Sequence, residues 1–290
     1  MQDNRLSLLT IHAHPDDESS KGAGTVAKYH SQGVRTTLVC CTGGEEGDIL
    51  NPAMENPTVR QNLEQIRLEE LKKATQIIGY DEVVMLGYRD SGMPDSEANK
   101  NPNCFAKAPL DEAVAKLVKV IRKVRPQVIV TYDENQQGYP HPDHLRVHEI
   151  TIPAFEAAGD PNAYPELGEA FSPLKLYYIL WSKTRILALH EKFLSLGIES
   201  PFSEKRLSFP SRDHLITTKI DISEFEEVRR KALLAHQTQI DPTSTFWFGL
   251  PLEEAKKVHP YDEYILARSL VGASNQEDDL FEGVRDKIYS

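Results

Sequence analysis

Short apolar runs alternate with amphipathic stretches along the first half of the chain. Four of the runs favour buried strands, and the first of them is continuous enough to be buried on both faces. They are residues 6–12, 34–41, 83–86 and 128–132. Between and after them, apolar residues recur at helical spacing in four stretches. These are residues 21–30, 59–79, 109–125 and 144–158. The alternation of strand and helix predicts right-handed crossovers and a mostly parallel sheet with flanking helices.

The pattern changes after Gly159, where prolines punctuate the chain. Further strands are indicated at 174–181 and 216–220, and further helices at 185–196 and 224–236. Residues 261–266 are harder to assign to a helix or a strand. We therefore predict one α/β core, residues 1–181, and a C-terminal α+β extension, residues 182–290, that packs on the core and completes its pocket.

The composition of the chain limits which binding partners and which cellular compartment we expect for it. The 290 residues carry a net charge of -11, from 44 acidic and 33 basic side chains, which disfavours nucleic acid and anionic membranes. No stretch approaches the roughly 20 apolar residues of a membrane span. The polar start, residues 1–5, does not resemble a signal peptide, so we expect a cytoplasmic protein.

The cysteines do not suggest a disulfide framework. There are three, Cys40, Cys41 and Cys104, and two of them are adjacent. Because Cys40 and Cys41 end an apolar run, we interpret them as buried small hydrophobic residues without a catalytic role.

Polar clusters follow the predicted strands. One lies at residues 12–18, a glycine-rich acidic loop at 42–48, a third loop at 87–94, and a second histidine cluster at 139–144. Because the carboxyl ends of parallel strands share one edge of a sheet, these clusters should meet where open α/β sheets bind ligands. The glycine-rich loop lacks a phosphate-binding pattern. Residues 95–107 are predicted to be a mobile surface insertion.

Three side chains of the two histidine clusters suit a divalent metal. His14 and Asp17 lie three residues apart across a turn at Pro15, and His144 follows from another strand. A catalytic zinc site takes three such ligands, although two histidines and one carboxylate also suit iron(II). Two simpler interpretations remain open at this point. The aspartates could cap a helix, and His144 could pair with His148.

Hydrolysis at such a site also needs acid and base groups. Asp16 stands beside the candidate ligand Asp17 and could accept the proton of an attacking water. His141 could polarise or protonate the developing oxyanion, and Asp143 could hold its tautomer. Tyr139 could donate to the same oxygen.

The two motifs together resemble the pair that marks the LmbE/PIG-L family of zinc-dependent de-N-acetylases. The first is His14-Pro15-Asp16-Asp17-Glu18, and the second is Pro140-His141-Pro142-Asp143-His144. Four other stretches support the resemblance, which spans nearly the whole chain. They are residues 19–23, 87–94, 132–135 with Tyr139, and 236–242.

The resemblance implies a Rossmann-like fold and a set of roles. Zinc would be held by His14, Asp17 and His144. Asp16 would be the general base, and His141 and Tyr139 would stabilise the tetrahedral intermediate. Asp143 would orient His141.

Four residues match sugar- or substrate-binding positions of the family. They are Arg67, Asp90, Glu46 and Lys21. Lys21 resembles the lysine of the amidase branch of the family rather than the deacetylase branch. Arg67 has an alternative interpretation as a solvated charge on a helix.

We therefore expect a zinc-dependent amidase that hydrolyses the amide of an N-acylated glucosamine, with a mycothiol-like thiol S-conjugate as substrate and detoxification as its purpose. The alternatives are an N-acetylglucosaminyl deacetylase and, without catalysis, a sugar- or nucleotide-binding module. Homo-oligomerisation stays open. The aromatic group at residues 246–248 is expected in a core or subunit interface rather than at the substrate mouth.

Overall fold

Seven strands form one sheet in the computed structural model, which describes residues 5–136, 139–272, 274 and 276–289. The strands are β1 (Ser7–His12), β2 (Arg35–Thr42), β3 (Glu82–Tyr88), β4 (Val128–Thr131), β5 (Lys175–Leu180), β6 (Thr218–Asp221) and β7 (Tyr261–Ser269). Their order across the sheet is β3-β2-β1-β4-β5-β7-β6. Strands β1 to β5 run parallel, and β7 is antiparallel to both of its neighbours.

Helices flank this sheet. Within the described residues they are α1 (Asp17–Ser20), α2 (Ala23–Ser31), α3 (Pro57–Gln61), α4 (Leu63–Ile78), α5 (Leu110–Val124), α6 (Pro142–Ala158), α7 (Lys183–Ser195), α8 (Glu204–Ser208), α9 (Glu226–Ala235), α10 (Thr245–Phe248), α11 (Leu252–Val258) and α12 (Val284–Tyr289). Helices α5 and α6 pack against each other, as do α2, α4 and α9. The predicted mostly parallel α/β fold is confirmed.

The strands differ in burial according to their place in the sheet. Every residue of β1 and β4, which lie side by side in the interior of the sheet, is buried. The edge strand β3 instead alternates, with Val83 and Met85 more than a third exposed. The expectation that residues 83–86 form a buried strand is therefore wrong, because Val83 and Met85 lie on one face of β3 that is partly open to solvent.

Two other expectations need correction. The predicted helix at 59–79 is two helices, since α3 ends at Gln61 and α4 begins at Leu63. The predicted surface insertion at 95–107 returns to the core in its second half. There Cys104 and Phe105 are fully buried, and the Phe105 amide donates to the Arg89 carbonyl at 2.8 Å.

The sheet continues beyond residue 181. Strand β7, which contains the unplaced residues 261–266, pairs with β5, and β6 pairs with β7. The division into a core and an extension at this residue stays a prediction. None of the helices in the described part of the chain has the length and apolar character needed to cross a membrane.

Candidate metal centre

The first histidine motif turns sharply where β1 ends. Asp16 precedes α1 with a φ of 115°, a left-handed conformation that is strained for a residue with a side chain. Its amide donates to Glu18 Oε2 at 2.9 Å, which helps to hold the turn. The Asp16 side chain makes no helix-capping hydrogen bond, so capping does not explain its presence.

Three buried side chains converge beside this turn. His14 Nδ1 lies 3.5 Å from Asp17 Oδ2, and His144 Nε2 lies 3.3 Å from the same oxygen. Each of the three side chains offers one atom that could bind a metal, and these three atoms lie within 4.8 Å of one another. Two imidazoles and one carboxylate at this spacing fit a divalent transition metal.

Neighbouring groups orient His144 and Asp17. His144 Nδ1 contacts Gln136 Oε1 at 3.1 Å, and its ring stacks on Tyr132 at 4.6 Å, so Nε2 is the nitrogen that faces Asp17. The Lys21 ammonium donates to Asp17 Oδ1 at 2.5 Å. Burial alone would raise the pKa of Asp17, but Lys21 and His144 hold it well below its ordinary value.

His14 is held from its other nitrogen by a carboxylate. Its Nε2 lies 3.1 Å from Asp143 Oδ2 and 3.6 Å from Asp90 Oδ1. Asp143 is itself fixed by the amide and hydroxyl of Ser91. A carboxylate on the outer nitrogen of a ligand histidine is the usual way to set the tautomer of that ligand. Asp143 was expected to orient His141, but its carboxylate contacts His14 instead.

His141 is oriented by the backbone. Its Nδ1 accepts from the Asp143 amide at 3.2 Å, where α6 begins. Burial, and then the nearby His14 and His144, lower the pKa of His141 to about 3. The neutral ring therefore carries its proton on Nε2, which makes it a hydrogen-bond donor.

His148 does not join His144. Its Nδ1 faces the Tyr132 carbonyl at 3.1 Å, and its Nε2 lies 3.5 Å from Glu134. The alternative of a metal pair on α6 is therefore not supported.

Arg67 secures the turn that carries Asp16. Its guanidinium donates to Asp16 Oδ2 at 3.1 Å, to the Pro15 carbonyl at 2.5 Å and to the Gly44 carbonyl at 2.7 Å. Because Arg67 is only 3% exposed, its interpretation as a solvated charge is wrong. Burial raises the pKa of Asp16, and Asp17 adds to this effect while Arg67 opposes it.

The remaining expected site residues surround the same space. Asp90 is buried, which by itself would raise its pKa, but His14, the Gly92 amide and His141 together hold that pKa below the ordinary value. Glu46 pairs with Arg89. Tyr139 is 53% exposed at the rim, and residues 137 and 138, directly before it, lie outside the described residues.

The sequence reasoning missed two buried carboxylates that tie distant segments to the site. Glu18 Oε1 contacts His236 Nε2 at 2.6 Å, and both residues are fully buried. Glu70 accepts from the Thr238 amide at 2.8 Å and from its hydroxyl at 2.7 Å. The polar run that follows α9 was the only available signal. It contributed to the resemblance, but nothing in the sequence named its partners.

Two adjoining spaces open at this edge of the sheet. The polar cavity, about 300 Å³, has His14, Asp16, Asp17, Asp90, His141 and His144 among its lining residues. The aromatic chamber, about 440 Å³, has Tyr132, Ile179, Leu180, Trp181, Phe246 and Trp247 among its own. The two share Ser20, Lys21, Tyr139, His144 and Trp247. The preferred interpretation of residues 246–248 as core is therefore wrong for Phe246 and Trp247.

Comparison with known proteins agrees with this geometry. The PIG-L family model, described as GlcNAc-PI de-N-acetylase, matches residues 9–155. Mycothiol S-conjugate amidase of Streptomyces coelicolor is 48% identical, across 98% of this chain and 99% of the relative. A 1D-myo-inositol 2-acetamido-2-deoxy-alpha-D-glucopyranoside deacetylase of Geodermatophilus obscurus is 39% identical, across 96% of this chain and 97% of the relative.

Solved structures share the fold at low identity. N,N'-diacetylchitobiose deacetylase from Pyrococcus horikoshii aligns with a TM-score of 0.62 at 19% identity, covering 90% of this chain and 83% of that one. A 4-carboxy-2-hydroxymuconate hydratase from Pseudomonas putida aligns with a TM-score of 0.58 at 15% identity, covering 93% and 99%. Because a hydratase and a deacetylase both adopt it, the fold alone does not determine the reaction.

Proposed function

This chain belongs to the PIG-L family, and from that premise we propose that it is a metal-dependent amidase that cleaves the amide of an N-acylated glucosamine in a thiol S-conjugate. The observation that carries the proposal is that His14, Asp17 and His144 converge beside Asp16. Asp16 has a strained backbone conformation, and Arg67 holds its carboxylate in place. The substrate class is inferred from the relative that is 48% identical.

We propose zinc as the metal, with His14, Asp17 and His144 as its ligands. The three donors fit the open tripod of catalytic zinc sites, although the same set also suits iron(II). When bound, the ion would polarise the amide carbonyl and lower the pKa of the attacking water toward about 7.

Asp16 acts as the base in this proposal. Its carboxylate takes the proton of the attacking water as the water oxygen bonds to the amide carbon. The same proton then passes to the amide nitrogen, and the carbon–nitrogen bond breaks. The products are the amine of the sugar and a carboxylic acid. Arg67 supports this role because it fixes both the carboxylate and the carbonyl of the preceding residue.

His141 and Tyr139 stabilise the oxygen that gains negative charge. The backbone contact at Nδ1 leaves the proton of the neutral His141 ring on Nε2, ready to donate. Tyr139 lies at the rim, where its hydroxyl can approach a bound substrate. Asp143 acts through His14 and keeps that ligand in one tautomer.

The sugar is proposed to lie among the acidic side chains of the polar cavity. Carboxylates such as Asp90 and Glu46 accept hydrogen bonds from sugar hydroxyls. Gln239, Ile240 and Trp247 line the same cavity, which supports a role for the C-terminal part of the chain in completing the pocket. Arg67 makes three hydrogen bonds to protein atoms, so we assign it to orienting Asp16 rather than to binding sugar.

A substrate comparison on protein of known metal content tests the proposal. Metal is measured in the purified protein, removed with a chelator, and restored as zinc or iron(II). We expect activity to disappear and return with the metal. We also expect a higher kcat/KM for a cysteinyl S-conjugate of glucosaminyl-inositol than for the N-acetyl analogue.

The reverse ratio would favour the deacetylase, the activity named for the relative that is 39% identical. If the metal-loaded protein hydrolysed neither amide but bound a sugar or nucleotide equally well after His14→Ala, the non-catalytic alternative would be correct.

A further inference from the structure

The aromatic chamber presents a concave apolar surface to solvent. Trp247 meets Phe246 edge to face at 4.7 Å and Trp181 at 6.2 Å, so the three rings form one wall. Ile179 and Leu180 of β5 contribute to the lining. Phe246 is 41% exposed although it belongs to this wall. Large apolar groups left open in a concavity of this size are typical of a binding site for an apolar group.

This chamber adjoins the polar cavity. Lys21, Tyr139 and His144 line both, so a molecule bound beside His144 would have one space on either side of it. The spaces differ in chemistry. The polar cavity contains the carboxylates of Asp16 and Asp90, whereas most of the lining surface of the chamber is apolar, with Lys21, Asp133 and Arg206 as its charged side chains.

The two halves of the proposed substrate differ in the same way. The amine half is a sugar, which matches the polar cavity. The acyl half carries the sulfur and its substituent. If the sugar occupies the polar cavity and the amide lies at the metal ligands, the acyl half must leave on the side of the chamber. An acetyl group, with two carbons, would end at the ligands and leave the chamber empty.

We propose that the aromatic chamber binds the apolar substituent carried on the thioether sulfur, an aromatic or long alkyl group. This inference rests on the proposed function. The substituent stacks against Trp181 and Trp247 and against Phe246. Because apolar contacts are non-directional, the chamber accepts substituents of different shape, provided that they are large and apolar.

Binding to the chamber can be measured without turnover. The sequence contains two tryptophans, and both line the chamber, so intrinsic fluorescence reports on it. The probe is N-acetyl-S-(naphthylmethyl)cysteine, and the comparison ligand is N-acetyl-S-methylcysteine. We expect saturable quenching by the naphthyl probe, with at least tenfold weaker binding of the methyl compound.

Phe246→Ala should weaken binding of the naphthyl probe by about fivefold or more. Leu234→Ala is the matched control, since Leu234 is similarly exposed, at 42%, and lies outside the chamber. It should leave binding unchanged. No saturable quenching in the natural protein, or equal binding by Phe246→Ala, would overturn the inference.

Turnover separates this inference from the proposed function. The two S-substituents are compared on the same glucosaminyl-inositol amide with metal-loaded enzyme. We expect Phe246→Ala to reduce kcat/KM for the naphthylmethyl conjugate and to change that for the methyl conjugate less than twofold. Hydrolysis of both conjugates with equal kcat/KM would refute the role of the chamber but would leave the proposed function intact. Saturable probe binding without any hydrolysis would refute the proposed function and retain the apolar site.

Discussion

The polar cavity and the aromatic chamber adjoin each other but are held in place by different forces. Polar side chains of the cavity have directional partners on several sides. His14 is fixed through both ring nitrogens, and Asp17 through both carboxylate oxygens. In the chamber, Phe246 contacts the rings of Trp181, Phe202 and Trp247. Directional contacts suit a reaction that tolerates little displacement, whereas ring contacts suit a surface that accommodates different ligands.

This difference separates the reaction from the range of substrates. Changes in the polar cavity should affect every substrate equally, because each amide must meet the same groups. Changes in the chamber should depend on the size of the acyl group. Substitutions in either space test that separation.

The largest effect is expected from Asp16→Asn. An amide cannot accept the proton of the attacking water, so kcat/KM should fall about 10²- to 10⁴-fold. The loss should be the same for methyl and naphthylmethyl conjugates, and metal content should be unchanged. Steady-state kinetics with both conjugates, together with metal analysis, measures this. Asp95→Asn, in an exposed segment, is the control and should retain full activity.

A loss confined to the larger conjugate after Asp16→Asn would contradict the proposed separation. Full activity with both conjugates would remove Asp16 from the mechanism.

The next effect is on stability and comes from His236→Ala. The substitution leaves Glu18 buried without its charged partner, which costs about 3–5 kcal/mol in comparable pairs. Urea unfolding of the natural protein and the variant gives the free energy of unfolding. His30→Ala is the control, because His30 also faces a carboxylate, that of Asp81, but its side chain is 44% exposed and the distance is a long 3.7 Å. It should cost no more than about 1 kcal/mol.

Adding Glu18→Gln to His236→Ala should recover part of the loss, since position 18 then no longer carries a buried charge without a partner. A change below about 1 kcal/mol for His236→Ala alone would mean that the pair contributes little to the attachment of the segment after α9.

The smallest effect is expected from Phe246→Leu. The substitution keeps an apolar wall but removes edge-to-face ring contacts worth about 0.5–1.5 kcal/mol. The kcat/KM for the naphthylmethyl conjugate should fall by about tenfold at most, and that for the methyl conjugate should be unchanged. Competition between the two conjugates in one assay gives the ratio directly. An equal loss for both would place Phe246 in the polar cavity's function instead.

Local patterns predicted most of the fold because burial of a parallel sheet leaves continuous apolar runs in the sequence. Strand β1 and helix α5 are clear cases. The hydrophobic pattern gave the wrong prediction for strands whose burial or pairing depends on their position in the sheet. The edge strand β3 is partly exposed, and β7 was not recognised because its pairing with β5 joins residues about 90 apart in the chain.

The sequence by itself determined that two histidine–aspartate clusters follow strands of one sheet, and which residue types they offer to a metal. Only the tertiary structure decided their partners. Asp143 turned toward His14, Arg67 folded under Asp16, and His236 reached Glu18 from more than 200 residues away. Motif chemistry is local and can be read from neighbouring residues. The orientation of a buried side chain instead depends on which distant donor or acceptor satisfies it, and that partner is chosen by the packing of the whole chain.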